Sequence, residues 1–104
     1  MSRLGHHVFF SLNDASEASI DKLISACQKY LVDHDGVVDF SVGRRVPDLN
    51  RPVNDAQYDI SLHIVFRDRQ SHDAYQTAPL HLEFIAQEKP NWKQVRIFDS
   101  DLES

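Results

Sequence analysis

The feature that most constrains this chain is an alternation of apolar and mostly polar side chains between Tyr58 and Arg67. The apolar series is Tyr58, Ile60, Leu62, Ile64 and Phe66. Successive side chains of a β-strand point to opposite faces of the sheet, so a period of two is typical of a strand with one buried face. We therefore predict a strand over residues 58–67.

Three other segments have the composition of strands. Residues 6–12 are rich in β-branched and aromatic side chains, and residues 37–46 and 92–98 share this character. Gly43, within the second of these segments, predicts a β-bulge. The acidic tail that follows the last strand, Asp99–Ser104, is expected to be frayed, most clearly over residues 100–104.

Two regions have helical spacing instead. From Ser16 the apolar residues fall on one face of a helix, at Ile20, Leu23, Ile24, Cys27 and Leu31. This pattern predicts a helix over roughly residues 16–34 that ends before Gly36. Residues 69–89 are also helical in character, but Pro79 cannot continue a helix from Ala78, so we predict two short helical pieces there.

The order of the predicted elements is β, α, β, β, α, β, with a long loop over residues 47–57 between the second and third strands. This order is that of the ferredoxin-like fold, in the α+β class. It places the helices on one face of a four-stranded antiparallel sheet. The other face of the sheet must then meet water or a partner.

Large apolar side chains occur on both faces of the predicted sheet. In the first strand Phe9 opposes the set Val8, Phe10 and Leu12. In the fourth strand the expected opposing pairs are Trp92 and Phe98 against Val95 and Ile97. Because an exposed apolar patch usually marks an interaction site, we predict a homodimer that forms through the sheet faces.

Length and composition exclude several classes of protein. The chain has 104 residues, a length that favours one domain over residues 1–104. It contains one cysteine and has a formal net charge of -5. Scattered charges of both signs argue against a nucleic-acid partner. Even the longest uninterrupted apolar stretches, such as Val8–Phe10, have only three residues. Neither a membrane segment nor a signal peptide is therefore predicted. With Cys27 unable to form an internal disulfide, a cytoplasmic location is expected.

Four stretches of the sequence resemble the stress-responsive A/B barrel family, also called Dabb, of the dimeric α/β barrel superfamily. The most specific stretch is residues 74–84, which contains Tyr75, Pro79 and His81. The others are the strand that opens with His6 and ends at Asp14, the Gly43-Arg44 pair, and the closing pattern Val95, Phe98, Asp99. The resemblance implies a ferredoxin-like subunit whose sheet pairs with that of a second subunit to form a dimeric α/β barrel.

The resemblance also implies a site. In the family's plant polyketide cyclase, which makes olivetolic acid, a tyrosine and a histidine six residues later act in a pocket between helices and sheet. Tyr75 and His81 have this spacing, and His6 matches the histidine that opens the family's first strand. Two positions depart from the pattern: Ala78 replaces a histidine that often precedes the proline, and Ile60 replaces a further histidine of the cyclase.

Three functions are compatible with this reading, and the sequence leaves open whether the protein is an enzyme. The first is a dimeric A/B barrel protein that binds an unidentified small molecule through His6, Tyr75 and His81. The second is a cofactor-free, polyketide-cyclase-like enzyme in which these residues are catalytic. The third, by fold analogy alone, is a small monooxygenase. A purely structural role also accounts for the pair, with the Tyr75 ring packed under the sheet and His81 bracing the break at Pro79.

Neither a cofactor nor a metal site is predicted. The sequence lacks a glycine-rich phosphate loop and a serine nucleophile elbow. His6 and His7 point to opposite faces of a strand, and His72 and His81 are separated by the proline break, so no pair has the spacing of metal ligands. The remaining histidines, His34 and His63, are expected to be exposed at a helix end and partly exposed on the sheet. Arg44 is expected to pair with carboxylates, and Cys27 to be packed and inert.

Overall fold

A computed structural model of the chain describes residues 2–103. Four strands, three helices and one short 3₁₀ turn follow one another along the chain. The strands are β1 (Arg3–Leu12), β2 (Val37–Arg44), β3 (Ile60–Phe66) and β4 (Trp92–Leu102). The helices are α1 (Glu17–Tyr30), α2 (Arg69–Thr77) and α3 (Pro79–Glu88), and the 3₁₀ turn is Lys89–Asn91.

The strands form one antiparallel sheet in the order β2-β3-β1-β4. The helices cover one face of this sheet, which confirms the predicted ferredoxin-like arrangement. None of the helices described is long and apolar enough to cross a membrane.

The hydrophobic core lies between the sheet and the helices. Alternate residues of the two central strands are buried there, as the period of two predicts: Leu4, Val8, Phe10, Leu12, Ile60, Leu62, Ile64 and Phe66. Helix α1 contributes the face that carries Leu23, Ala26, Cys27 and Tyr30. Burial raises the pKa of the Cys27 thiol to about 12, so it stays protonated and inert as expected.

The face of the sheet turned away from the helices is also aromatic. Phe9 lies at its centre, with ring centroids 5.2 Å from Tyr58 and 5.9 Å from both His63 and Phe98. Beside it, Nδ1 of His7 and Nδ1 of His63 are 3.0 Å apart. This surface, which we call the open face, is covered by no element of the described chain, and Phe98 is 52% exposed.

The predicted orientation of Trp92 is wrong. Leu12 pairs with Trp92 while Ser11 pairs with Gln94, so Lys93 is an extra residue in β4. This irregularity reverses the alternation and turns Trp92 toward the helices, where its ring lies 5.1 Å from that of Phe10. Trp92 therefore shares a face with Val95 and Ile97 instead of opposing them.

The predicted bulge at Gly43 is also wrong. Gly43 pairs regularly with Ser61, and the irregularity lies at the start of β2, between Val37 and Asp39. A glycine in a strand is compatible with a bulge but does not require one. The φ angle of Gly43 is not positive, so its backbone is that of an ordinary strand residue.

Of the predicted boundaries, the ends of α1 and β4 differ most from the structure. Helix α1 ends at Tyr30, well before residue 34. Nε2–H of His34 donates to the carbonyl of Tyr30, 2.8 Å away, and so satisfies a carbonyl at the helix end that would otherwise need the next helical turn. His34 is therefore not fully exposed as predicted. Strand β4 continues to Leu102, where fraying was expected, because β1 begins at Arg3 and pairs with it. Residue 104 lies outside the described residues.

Arg44 pairs as predicted. Its guanidinium lies 2.7 Å from a carboxylate oxygen of Glu17 and 2.6 Å from one of Asp21, both on α1. This contact ties the end of β2 to the first half of the helix, and it raises the pKa of Arg44. The groups are largely exposed, so the pair contributes modestly to stability.

Gly36 precedes β2 at a φ angle of 87°, a conformation that other residues adopt only with strain. A Cβ atom at this position would also clash with the side chain of Ser71 in α2. We expect Gly36→Ala to lower the free energy of unfolding by at least about 1–2 kcal/mol, measured by urea denaturation. Gly43→Ala is the matched control, because a Cβ there meets nothing within 4 Å. Equal effects of the two substitutions would contradict this account.

Candidate functional site

The break between α2 and α3 builds one side of the candidate site. Asp68 caps α2 by accepting a hydrogen bond from the Ser71 amide, 2.8 Å away. The helix ends at Thr77, and Ala78 is extended, with ψ 140°, as expected for a residue before proline. Pro79 then occupies the first turn of α3. The predicted division into two helical pieces at this proline is confirmed.

This change of direction brings Tyr75 and His81 together. Their ring centroids are 4.3 Å apart, although six residues of continuous helix would place them far apart around the axis. His6, on β1, lies across from them, with its ring 5.9 Å from that of Tyr75. The three side chains that the sequence singled out therefore meet at one place.

All three border a cavity of about 130 Å³ between the helices and the sheet. The rest of its wall is almost entirely apolar: Val8, Phe10, Leu31, Leu62, Phe84, Ile85, Trp92, Val95 and Ile97, with Gln76 as a further polar residue. The cavity thus combines an apolar wall with a small group of polar side chains, which is the usual composition of small-molecule sites.

His81 has a defined tautomer. Its Nδ1 lies 3.1 Å from the carbonyl oxygen of Gln76, and a carbonyl only accepts, so Nδ1 carries the hydrogen and Nε2 carries a lone pair. Burial lowers the pKa of His81, and the Gln76 carbonyl opposes this effect. The neutral imidazole is a potential base. The same bond connects the end of α2 to α3, as the structural alternative for His81 predicts.

His6 is held by a residue that the sequence reasoning missed. His6 and Asp99 are direct partners across β1 and β4, and Nδ1 of His6 lies 2.5 Å from Oδ1 of Asp99. Burial lowers the pKa of His6, while Asp99 works in the opposite direction. The sequence predicts a frayed tail from Asp99 onward, so only the pairing of β4 with the start of β1 reveals this contact.

Tyr75 is almost fully buried, with its ring 5.0 Å from that of Phe66 and 4.9 Å from that of His34. Burial raises the pKa of its phenol, so the hydroxyl stays protonated and serves as a donor. Among residues 2–103, no hydrogen bond to this hydroxyl contributes to the shift. Its neighbours therefore leave it available to a bound molecule.

His72 is a second residue that the sequence reasoning missed. Its ring lies 5.2 Å from that of His6 and 5.6 Å from that of Phe66. One signal could have found it, because positions 72 and 75 share a face of the predicted helix. Its approach to His6 depends on tertiary packing of α2 against β1.

Potential metal ligands also come together here. His6, His72 and Asp99 each offer a ligand atom, and these atoms all lie within 4.8 Å of one another. Spacing along the chain does not reveal this set, because its members come from β1, α2 and β4.

Trp92 leaves one polar atom unsatisfied. Its indole N–H is buried and has no hydrogen-bond partner within the described residues. The ring packs against Phe10 and Phe84. It borders the cavity described above and also a neighbouring cavity that is lined in part by Glu88. A buried donor without a partner lowers stability, so an acceptor at this atom would be stabilising.

The buried histidines predict loss of stability at mildly acidic pH. The pKa of His81 is lowered in the folded state, so the unfolded chain takes up its proton first, as pH falls through about 6.5. The free energy of unfolding should therefore decrease between pH 7.5 and 5.5, measured by urea denaturation. His81→Gln should lessen this decrease.

Asp55→Asn provides the control for the pH experiment. A hydrogen bond from Arg96 lowers the pKa of Asp55 below 3.8, so its contribution is lost only at more acidic pH. It should leave the difference between pH 7.5 and 5.5 unchanged. An identical decrease in the wild type and in His81→Gln would contradict the assignment to His81.

The sequence matches one family model. The model of the stress responsive A/B barrel domain covers residues 4–102, nearly the whole chain. No curated protein matches the sequence significantly.

Solved structures share the fold over at least nine tenths of their length. A Dabb family protein with a ferredoxin-like fold from Mesorhizobium loti is 22% identical, with a TM-score of 0.82 and full coverage of both chains. A dimeric ferredoxin-like protein of unknown function from Thermobifida fusca is 18% identical, with a TM-score of 0.81 over 97% of this chain and 92% of that one. The hydroxynitrile lyase from Passiflora edulis is 17% identical, with a TM-score of 0.78 over 98% and 94%. At these identities the likeness shows the fold alone.

Proposed function

Because the chain belongs to the stress responsive A/B barrel domain family, we propose that it is a homodimer whose subunits each bind a small molecule in the cavity between helices and sheet. His6, Tyr75 and His81 are the polar contacts of that molecule. The observation that carries this proposal is the meeting of these three side chains at one wall of a cavity that is otherwise apolar except for Gln76. The protein is expected to act in the cytoplasm.

The open face supports the dimer. The subunit measures 38 × 32 × 17 Å, so it is one sheet thick with one layer of helices. Its uncovered side carries Phe9 and Phe98, the latter half exposed. A second copy that packs its own open face here would bury both aromatic side chains and complete the dimeric α/β barrel. The similar protein from Thermobifida fusca is described as dimeric.

We expect a mass of about twice 12.0 kDa by sedimentation equilibrium at micromolar concentration. Phe98→Glu should yield monomers, because it places a charge in the buried interface without partners. Leu82→Glu is the matched control, since Leu82 is equally exposed, at 51% against 52%, but lies on α3. A monomeric wild type, or equal dissociation by both substitutions, would overturn the proposed interface.

The size of the cavity limits the ligand. A volume of about 130 Å³ is close to that of an engineered apolar cavity of about 150 Å³ that binds benzene. The apolar wall and the polar group at one end favour a molecule with one ring or a short apolar chain and a single polar end. The hydroxyl of Tyr75 would donate to an oxygen of this molecule, and Nε2 of His81 would accept from it.

Catalysis at the same place is the second candidate function. A neutral His81 with a free Nε2 can accept a proton from carbon next to a carbonyl, while the Tyr75 hydroxyl stabilises the developing enolate oxygen. His6, oriented by Asp99, can carry a further proton. The resemblance to the polyketide cyclase supports this candidate. Ile60 weakens it, because that position is fully buried in the core and supplies no polar group.

The monooxygenase alternative has weaker support. It follows from likeness of fold, and no arrangement of residues at the cavity favours it over the other two candidates. Consumption of oxygen in the presence of a bound substrate would support the monooxygenase alternative.

The ligand site is tested with 4-methylphenol, which carries one ring and one hydroxyl. We expect amide chemical shifts to change around the cavity on titration, at α2, α3 and the middle of β1. Tyr75→Phe removes one hydrogen bond and should weaken binding about fivefold, in line with a net value near 1 kcal/mol. Tyr58→Phe is the control, since it removes a hydroxyl beside the open face. Shift changes confined to the loop over residues 47–57 would contradict the proposal.

His81→Ala separates the two candidate functions. With an enolisable polyketide-like substrate that the wild type converts, loss of a general base should lower the rate about a hundredfold or more. If the wild type binds such compounds without turnover, the protein is a binding module. Conversion that survives His81→Ala unchanged would exclude His81 as the base.

A further inference from the structure

We propose that His6, His72 and Asp99 bind a divalent transition-metal ion such as Zn²⁺ at the end of the cavity where His6 lies. This inference goes beyond the proposed function and does not rest on it, because it concerns a second kind of ligand. It starts from the proximity of the three side chains, whose candidate ligand atoms all lie within 4.8 Å.

The three residues project from rigid elements. His6 and Asp99 are paired residues on adjacent strands, β1 and β4, and His72 lies in the first half of α2. Ligands about 2.0–2.1 Å from one tetrahedral ion are separated by roughly 3.3 Å. Side-chain rotations can close the difference, because the Asp99 side chain is 42% exposed and has room to move.

The hydrogen bonds of His72 prepare one of its nitrogens for an ion. Nδ1 of His72 lies 3.0 Å from a carboxylate oxygen of Asp73, so Nδ1 carries the hydrogen. Nε2 lies 3.1 Å from the amide nitrogen of Gln76, which donates to it, so Nε2 carries a lone pair. A carboxylate that holds the far nitrogen of a ligating histidine is a recurring feature of metal sites. An ion would replace the amide of Gln76.

His6 is prepared in a related way. Its Nδ1–H donates to Asp99, which leaves a lone pair on Nε2. Only Oδ1 of Asp99 accepts this hydrogen bond, so its carboxylate can supply the third protein ligand to the ion.

The type of donor favours a transition metal. The carboxylate of Asp99 supplies a negative charge at the site, and the neighbouring carboxylate of Asp73 is ion-paired with Arg69, 2.9 Å from its Nε. Two imidazoles and one carboxylate suit Zn²⁺, Co²⁺ or Ni²⁺, whereas Mg²⁺ prefers oxygen ligands.

Three protein ligands leave a fourth position for water or another small ligand. His6 borders the cavity, and its ring lies 5.9 Å from that of Tyr75. A molecule in the cavity would therefore lie next to the open position of the ion. Bound Zn²⁺ lowers the pKa of its water or polarises a carbonyl, so this site would bring hydrolytic or Lewis-acid chemistry within reach of the cavity.

The test is titration of the metal-free protein with Zn²⁺, followed by calorimetry at pH 7.5. We expect one ion per subunit. His72→Gln and Asp99→Asn should each weaken binding tenfold or more. The matched control is His63→Gln, because His63 and His7 form the other close histidine pair, on the opposite face of the sheet. Loss of binding in His63→Gln with normal binding in His72→Gln would overturn the proposal.

Co²⁺ locates the ion without any substitution. Tetrahedral coordination should give intense visible absorption, and paramagnetic effects should be strongest on the NMR signals of His6, His72 and Asp99. Strongest effects at His7 and His63, or no saturable binding at millimolar Co²⁺, would refute the site. These experiments use the metal ion without 4-methylphenol. A failure to bind Zn²⁺ or Co²⁺ would therefore refute the metal site and leave the proposed small-molecule site to its own test.

Discussion

The position of β1 between β3 and β4 is the constraint on which the rest of the structure depends. Its residues alternate strictly between the helix-covered face and the open face over Arg3–Leu12. The even-numbered residues, among them His6, Val8 and Phe10, lie under the helices. The odd-numbered residues His7 and Phe9 lie on the open face. A shift by one residue would exchange these sets, which would remove His6 from the cavity and put a charged or polar group among core side chains. The core, the cavity and the aromatic outer surface thus share one register.

Periodicity, strand composition and one proline are together sufficient to predict the elements and their order. The alternation at residues 58–67 corresponds to β3, and the helical spacing from Ser16 corresponds to α1, because each pattern reflects burial of one face. Pro79 fixes the boundary between α2 and α3 through its backbone chemistry alone. Such features are local, so neighbouring residues contain the information that determines them.

Features that depend on pairing between distant segments could not be predicted in this way. The irregularity at Lys93 turns Trp92 inward, and no local pattern distinguishes it from the expected orientation. Asp99 looks like part of an acidic tail until β4 is aligned with Arg3–His6. The site shows the same division. The spacing of Tyr75 and His81 is visible in the sequence through the family resemblance, whereas the contacts of His6 with Asp99 and His72 arise only when three elements pack together.

The thin shape of the subunit has a consequence for how its stability is measured. In a body 17 Å thick, Phe98 lies outside the single core layer and is 52% exposed, so about half of its apolar area contributes nothing to the free energy of folding of one chain. The exposed part contributes only when another surface covers it, and it then enters through mass action. In the proposed homodimer the midpoint of thermal unfolding would rise with protein concentration, so a melting temperature has a defined meaning only when that concentration is stated.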